Sequence, residues 1–278
     1  MKIINKKMNN FFKRLITGIV FIVAVLGGIL LHKYAYLTVF GIIVLLGMVE
    51  MRDLLKSTDT KIQAWTGIMT GIFLFVISFF IIAKMISILW LSLLIPMIIS
   101  VYITELFLKS KMPITNIATT LFLPFYIALP FCFLHFLAFY NGEFCGELLI
   151  AFFILSWSND TFAYLVGINF GKRRLYEEIS PKKSWEGTIG GFLATLLVAF
   201  VLSFFFKNFT LTDWLIIGGI ISIMGVFGDL TESMIKRSVN KKDSGSILPG
   251  HGGILDRFDS ITFAAPIVFC YLLILKIC

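Results

Sequence analysis

Nine stretches of apolar residues, each long enough to cross a lipid bilayer, dominate this sequence. A membrane-spanning helix needs about 20 mostly apolar residues to cross a hydrocarbon core of about 30 Å. Only 14% of the residues are charged and 58% are hydrophobic, so a water-soluble fold could not cover its apolar surface. The sequence therefore predicts an all-α, polytopic integral membrane protein with about nine transmembrane helices. The stretches lie near residues 14–32, 35–52, 64–83, 86–106, 113–138, 146–168, 188–206, 212–230 and 260–277.

Basic residues are distributed unequally among the segments that connect these stretches. If the N-terminus lies inside, the inner segments contain twenty of the 24 Lys and Arg residues. Positively charged segments of a membrane protein stay on the cytoplasmic side. We therefore predict a cytoplasmic N-terminus and two long cytoplasmic loops, residues 169–187 and 231–259. This anchoring to the lipid bilayer explains the net charge of +8 without nucleic acid as a partner.

The polar segments are concentrated in the second half of the chain. Residues 1–140 contain about five predicted spans and no comparable chemistry, so we interpret them as N-terminal transmembrane helices. Residues 141–278 contain about four spans and both long loops, which predicts a catalytic region around a polar cavity that faces the cytoplasm. The four cysteines form no CxxC pair, which argues against a zinc site or a disulfide framework.

The eighth apolar stretch continues into a polar helix end. Its polar residues recur at i, i+3, i+4 and i+7, which places on one helix face Asp229, Glu232, Ser233 and Lys236. Asp229 lies roughly 10 Å deeper than Lys236 along the helix axis. An acid at that depth is a candidate functional residue. A structural ion pair with Lys236 or Arg237 is the alternative explanation.

A glycine-rich segment (residues 243–259) follows this helix. Glycines let a backbone approach a ligand closely, and successive N–H groups can bind phosphate oxygens. Acids beside lysine and arginine at a membrane surface suit Mg²⁺ and a polyphosphate. His251 is a candidate general acid or base, and a hydrogen bond within the segment is the alternative for it.

A second polar region begins inside the sixth stretch. Asp160 interrupts that stretch, and an ionisable group at such a depth usually faces a bundle interior or a water-filled cavity. The following loop contains Lys182 and Lys183, which together with Glu186 can hold an anionic ligand. Taken alone, this loop is also consistent with ordinary solvated surface.

The residues from 233 to 259 resemble the signature of phosphatidate cytidylyltransferases. That signature is Ser, two residues, Lys-Arg, four residues, Lys-Asp, then a Gly, Pro and His-Gly-Gly loop that ends in Asp-Arg-x-Asp. Residues 160 and 180–187 are also similar to the family pattern. The defining positions of the signature are occupied by Ser233, Lys236, Arg237, Lys242, Asp243, Gly245, Leu248, Pro249, His251, Gly252, Gly253, Asp256, Arg257 and Asp259.

The resemblance implies a bacterial inner-membrane enzyme of phospholipid biosynthesis that converts CTP and phosphatidate to CDP-diacylglycerol and pyrophosphate. It also implies Mg²⁺ bound by Asp229 and Asp256, and it does not decide whether a second cation binds. Members of the family are commonly homodimers, so a homodimer is expected. The other predicted catalytic residues are Lys236 and Arg237. The predicted substrate-binding residues are Asp160, Ser180, Lys182, Lys183, Glu186, Ser233, Lys242, Asp243, His251, Gly252, Gly253, Arg257 and Asp259.

Two other functions fit part of the pattern. An ion-coupled membrane transporter would place charges near the bilayer midplane in symmetric halves, whereas these charges cluster in one half, toward the cytoplasmic side. A CTP-dependent lipid kinase would transfer a phosphate group rather than CMP. Analysis of the reaction products separates the three functions.

Overall fold

A computed structural model describes residues 2–56, 60–245, 247 and 252–277, with side chains described from residue 16 onward. Two short strands, β1 Arg174–Tyr176 and β2 Ser180–Ser184, form an antiparallel hairpin. The other regular elements are helices: α1 Lys2–Leu31, α2 Lys33–Leu55, α3 Ala64–Ile82, α4 Leu94–Leu108, α5 Pro113–Leu123, α6 Leu129–Ala138, α7 Glu147–Phe170, α8 Trp185–Phe205, α9 Leu211–Ser238, α10 Leu255–Phe258 and α11 Ile261–Ile277.

The helices account for the apolar stretches. Within the described part of the chain, eight helical segments are long and apolar enough to cross a membrane, and Ile16–Leu31 is a shorter apolar helix. These nine segments coincide with the nine predicted stretches, so the predicted all-α, polytopic fold is confirmed. The predicted number of about nine transmembrane helices is close to the eight that are long enough to span. Helices suit this setting because lipid offers no hydrogen-bond partner to an unpaired backbone group.

The boundary between the third and fourth spans is the least regular one. α3 ends at Ile82, and Lys84 adopts a positive φ of 56° that turns the chain. Ser87 then caps a 3₁₀ segment, Ile88–Leu93, which leads directly into α4. The chain therefore makes two spans here, although only a few residues separate the two apolar stretches.

α7 and α8 pack closely because glycines on α8 face α7. A Cβ atom at Gly187 would lie 2.7 Å from a backbone oxygen of α7, and one at Gly191 would lie 2.9 Å from the Asn159 carbonyl oxygen. Small residues one turn apart let transmembrane helices approach each other in this way. The Asn159 side chain accepts a hydrogen bond from Ser222 of α9 at 2.6 Å. Asn159 therefore lies where three helices meet, and Asp160 follows it directly in α7.

α9 is longer than the predicted span. It begins with a capping box formed by Thr210 and Asp213 and continues to Ser238. The predicted helical face from Asp229 to Lys236 is thus confirmed, and the predicted loop 231–259 begins only after this helix end. The helix continues because residues 229–238 contain neither glycine nor proline, which are the residues that commonly end a helix. This extension carries the predicted polar face.

Candidate active site

The last turns of α9 present a row of charged side chains. Ser233 Oγ donates a hydrogen bond to Asp229 Oδ1 at 3.3 Å, and Lys236 Nζ lies 3.1 Å from Glu232 Oε1. These i, i+4 contacts confirm that the four residues share one helix face. Glu232 and Lys236 are only 1% and 7% exposed. Removing Lys236 would leave the buried Glu232 carboxylate without a cation beside it.

Asp256, on α10, joins the glycine-rich segment to α9. Its Oδ1 accepts a hydrogen bond from Lys236 Nζ at 2.6 Å. Its Oδ2 accepts from Gly253 N at 2.8 Å and from Ser244 N and Oγ at 3.2 and 3.0 Å. Gly252 has a φ of 85°, and a Cβ there would lie 2.7 Å from Asp256 Oδ2. Only a glycine fits beside this carboxylate.

The hairpin between α7 and α8 brings Lys183 to the polar face of α9. Lys183 Nζ forms an ion pair with Asp229 Oδ2. The alternative considered from the sequence, a pair of Asp229 with Lys236 or Arg237, is not what the described residues form, because Lys236 contacts other acids. Arg237 instead donates from Nε to the Ile179 carbonyl oxygen at 3.3 Å. The hairpin is thus attached to the end of α9.

Glu186 fixes the base of this hairpin. Its carboxylate accepts hydrogen bonds from the backbone N–H groups of Lys172 at 3.0 Å and Arg173 at 3.2 Å. Ser184 caps α8 by accepting a hydrogen bond from Gly187 N at 3.1 Å. The contacts described for Glu186 are therefore with the backbone, and its predicted role in substrate binding stays a prediction.

Asp160 and Asp259 add two more acids from other elements. Asp160 lies ten residues before the end of α7, which is roughly 15 Å along the helix axis. Its charge interacts with those of Asp229 and Lys183. Asp259, in the turn before α11, also interacts with Asp229. The turn approaches α9 closely at Gly228, where a Cβ would clash with the Asp259 carbonyl oxygen.

These acids form one cluster, which we call the acidic cleft: Asp160, Asp229, Glu232, Asp256 and Asp259. Carboxylates whose charges interact repel one another unless positive charge lies among them. Lys183 and Lys236 supply such charge. The cleft adjoins a small cavity with mostly apolar walls, which Glu232 and Asp259 help to line. An arrangement of this kind can receive an anionic headgroup or nucleotide together with a cation.

The predicted metal ligands both belong to the acidic cleft, but each carboxylate is paired with a lysine. Among the described residues, no three His, Cys, Asp or Glu side chains form a ready metal site. Carboxylate oxygens are nevertheless the donors that Mg²⁺ prefers. Glu232 Oε2 is buried and has no hydrogen-bond partner in the described structure. The donor chemistry of Asp229, Asp256 and Glu232 therefore fits a divalent cation.

The remaining predicted residues differ in their exposure. Ser180 is half-buried at the start of β2. His251 lies outside the described residues, so its predicted role stays a prediction. The predicted charged residues that are exposed are Lys182, Lys242, Asp243 and Arg257.

Glu50 of α2 contacts the site, although the sequence predicted no comparable chemistry in residues 1–140. Its Oε2 accepts a hydrogen bond from Leu255 N at 3.0 Å and lies 3.3 Å from Ser244 Oγ. The first half of the chain therefore reaches the site, and the expectation that it carries no comparable chemistry stays a prediction. The signal was an acid inside an apolar stretch, which is the feature that drew attention to Asp160.

Comparison with known proteins gives consistent matches. A sequence model described as the cytidylyltransferase family matches residues 12–275. The chain is 35% identical over 250 residues to a phosphatidate cytidylyltransferase of Staphylococcus haemolyticus, covering 88% of this chain and 91% of the relative. It is 34% identical over 259 residues to that of Staphylococcus aureus, covering 92% and 96%. A shorter match, 48% identical over 132 residues, covers 46% of this chain and 45% of the phosphatidate cytidylyltransferase of Haemophilus influenzae.

Proposed function

The chain belongs to the cytidylyltransferase family, and on that premise we propose that it converts CTP and phosphatidate to CDP-diacylglycerol and pyrophosphate in phospholipid biosynthesis. The names of the relatives and the signature in residues 233–259 agree on this reaction. The resemblance drawn from the sequence is therefore confirmed. The observation that supports the proposal best is the acidic cleft, where lysines and carboxylates from four separate parts of the chain meet.

The reaction explains why such a cleft is useful. A phosphate oxygen of phosphatidate attacks the α-phosphorus of CTP, and the bond to pyrophosphate breaks. A phosphomonoester has a second pKa of about 6, so the nucleophile is largely ionised at neutral pH and needs no strong general base. The obstacle is repulsion between an anionic nucleophile and a triphosphate. Positive charge placed around the reacting phosphates lowers that barrier.

Lys183 and Lys236 are the cations best placed to supply this charge. Each is held by an acid of the cleft, Lys183 by Asp229 and Lys236 by Glu232 and Asp256. Phosphate oxygens can replace a carboxylate as the partner of a lysine, because both form charge-assisted hydrogen bonds. We assign the two lysines to the phosphates of CTP.

Arg237 and the exposed lysines surround this inner pair. Arg237 holds the hairpin through Ile179 and the following turn through a bond from Nη1 to the Lys241 carbonyl oxygen at 3.1 Å. The assignment of Arg237 as a catalytic residue is a proposal, and so is the assignment of Lys182 and Lys242 to substrate binding. These exposed side chains attract the anionic substrates to the cleft.

Mg²⁺ is the proposed cofactor, with Asp229 and Asp256 as its ligands and Glu232 within the same cluster. When bound, the metal ion would neutralise charge on the triphosphate and orient its oxygens. The lysines now paired with these carboxylates would then be released toward the substrates. A second cation and a homodimer stay predictions.

The protein is a multi-pass membrane protein, and we propose that it lies in the inner membrane with its N-terminus and active loops in the cytoplasm. The distribution of basic residues supports this orientation. A cleft on that side lets water-soluble CTP meet the headgroup of a membrane lipid. The division into residues 1–140 and 141–278 is retained as a proposal, with Glu50 as a contact across it.

The experiment is a product analysis with two differently labelled substrates. Purified protein in phosphatidate-containing nanodiscs is given Mg²⁺ and either [α-³²P]CTP or [γ-³²P]CTP. The proposed reaction moves the α label into a lipid and the γ label into pyrophosphate. A lipid kinase would move the γ label into the lipid, and a transporter would leave both labels in CTP. Either of these results would contradict the proposal, and neither alternative is supported by the names of the relatives.

A further inference from the structure

A buried carboxylate on α2 contacts the glycine-rich segment from the other half of the chain. Glu50 is 3% exposed, five residues before the end of α2. Its described hydrogen bonds come from Ser244 and Leu255 rather than from a lysine or arginine. An acid buried in this way is costly unless hydrogen bonds compensate it. Its position therefore calls for an explanation beyond packing.

The hydrogen bonds of Glu50 reach both ends of the glycine-rich segment. Oε2 accepts from Leu255 N at 3.0 Å near the end of the segment and lies 3.3 Å from Ser244 Oγ near its beginning. Ser244 Oγ is also 3.0 Å from Asp256 Oδ2. One hydroxyl group thus lies between the carboxylate of Glu50 and that of Asp256. The two acids are connected through the same short stretch of backbone.

Two glycines of the segment rest directly on Glu50. A Cβ at Gly245 would lie 2.6 Å from Glu50 Oε1, and a Cβ at Gly253 would lie 2.5 Å from Glu50 Oε2. Neither glycine has a positive φ, unlike Gly252. Backbone freedom therefore does not explain them. The close approach of the carboxylate explains Gly245, and the carboxylate together with Ser244 Oγ, which lies nearer still, explains Gly253.

We infer that Glu50 is a positioning residue, which holds the two ends of the glycine-rich segment so that they present their hydrogen-bond donors to Asp256. Gly253 N and Ser244 N and Oγ are donors to Asp256 Oδ2. The same two residues lie against Glu50. Glu50 acts through this segment and does not itself touch the phosphates. The inference rests on the proposed function, because Asp256 is its proposed metal ligand.

The test compares two substitutions of Glu50 that separate hydrogen bonding from volume. Glu50→Leu has a side chain of similar length and removes the acceptor, so kcat/KM for CTP should fall about 30- to 100-fold, the scale of leaving the buried Leu255 N–H without its acceptor. Glu50→Gln keeps one acceptor oxygen and should stay within about tenfold of the wild type. The matched control is Glu105→Leu, since Glu105 is equally buried at 2% exposure and accepts hydrogen bonds far from the cleft. It should leave kcat/KM per folded molecule unchanged.

A second measurement distinguishes positioning from a general loss of folding. Hydrogen exchange in purified Glu50→Leu should increase in residues 243–259 while the other spans keep wild-type protection. Gly245→Ala, which pushes a methyl group against the carboxylate, should also lower kcat/KM. Combined with Glu50→Leu, it should lower kcat/KM little further, because the same arrangement is already lost.

Several results would overturn the inference. One is a wild-type kcat/KM in folded Glu50→Leu, and another is an equal loss of kcat/KM in the Gln and Leu variants. A third is a loss in the Glu50→Leu, Gly245→Ala double variant that equals the product of the two single losses. If Glu50→Leu does not fold, the Gln and Gly245→Ala variants decide the matter, and wild-type kinetics in Gly245→Ala would overturn it. Failure of the proposed function is a separate result, in which the wild-type protein itself forms no CDP-diacylglycerol.

Discussion

Glu105 of α4 and Glu232 of α9 are almost equally buried acids in opposite halves of the chain, but their surroundings differ. Glu105 accepts hydrogen bonds from Gln63 Nε2 at 3.1 Å, from Asn116 Nδ2 at 2.7 Å and from Ser110 Oγ. These donors are neutral and belong to neighbouring elements. Glu232 instead contacts Lys236 and interacts with the like charges of Asp256 and Asp229.

The difference between these two regions concerns what each can still bind. Around Glu105, neutral donors satisfy one carboxylate, and little binding capacity is left. In the acidic cleft, five carboxylates share a few cations, so the arrangement gains when further positive charge arrives. A buried acid is therefore a weak indicator of a site by itself. A cluster of acids that share a few lysines is a stronger one.

The largest expected effect comes from removing a charge of the cleft. Asp229→Asn and Asp256→Asn should each lower the rate of CDP-diacylglycerol formation at least about 100-fold, since Asn binds a hard cation weakly. The double variant should lose little more, because one site cannot be broken twice. The measurement is initial rate at saturating Mg²⁺ in purified protein.

The control for these variants is the same substitution at the other end of α9. Asp213 accepts hydrogen bonds from Thr210 and Tyr271, away from the cleft. Asp213→Asn should therefore retain a rate near that of the wild type. Near-normal turnover in Asp229→Asn would remove Asp229 from the site, and loss of folding there would favour a structural ion pair with Lys183.

A smaller effect should separate two adjacent lysines. Lys183 pairs with Asp229 inside the cleft, whereas Lys182 is exposed. Lys183→Met should lower kcat/KM for CTP about 10- to 30-fold, and Lys182→Met about threefold. The loss in Lys182→Met should shrink as salt increases, because exposed charges are screened. Equal, salt-sensitive losses at both positions would mean that Lys183 acts only as surface charge.

Glu105→Gln tests the opposite region and should leave the rate unchanged. The substitution replaces one carboxylate oxygen by an NH₂ group, which cannot accept a hydrogen bond from the surrounding donors. This loss should destabilise the fold by about 1–3 kcal/mol. The measurements are thermal unfolding in detergent and the rate per folded molecule. A tenfold slower enzyme with wild-type stability would show that the two regions are not as different as their contacts suggest.

The orientation of the two sides is tested without any expected change in rate. Glu143 and Glu177 are both exposed, one in the loop after α6 and the other in the hairpin. In a background without native cysteines, Glu143→Cys should react with an impermeant maleimide added to intact cells. Glu177→Cys should react only after the cells are opened. Labelling of Glu177→Cys from outside would reverse the proposed orientation.

The sequence predicted the spans well because hydropathy directly reflects burial in lipid. It also placed Asp229 and Lys236 on one helix face, because side chains return to the same face of a helix at a short and regular spacing. It did not predict the hairpin of β1 and β2, whose few residues lie in a polar loop and show no long alternation. Short strands of this kind depend on what they pack against.

The contacts that connect distant parts of the chain were the least predictable. Lys183 was a candidate ligand residue, but its pairing with Asp229 depends on how the hairpin meets α9. The contact of Glu50 with the site could not be predicted, because its partner Ser244 lies 194 residues later in the sequence. No local pattern encodes a pairing over such a distance, and only the packing of α2 against the glycine-rich segment creates it.

The long separation between Glu50 and Ser244 also governs when the enzyme can become active during its synthesis. A ribosome adds about 5–20 residues per second, so α2 precedes Ser244 by roughly 10 to 40 seconds. During that time Glu50 is already in its helix, while the N–H and hydroxyl groups that will bind it have not yet been made. A chain that stops before α10 contains most of its spans and Asp229, but it lacks Asp256. If Asp256 is the metal ligand that we propose, catalytic competence arises only in the last moments of translation, and a truncated product would occupy the membrane without making lipid precursor.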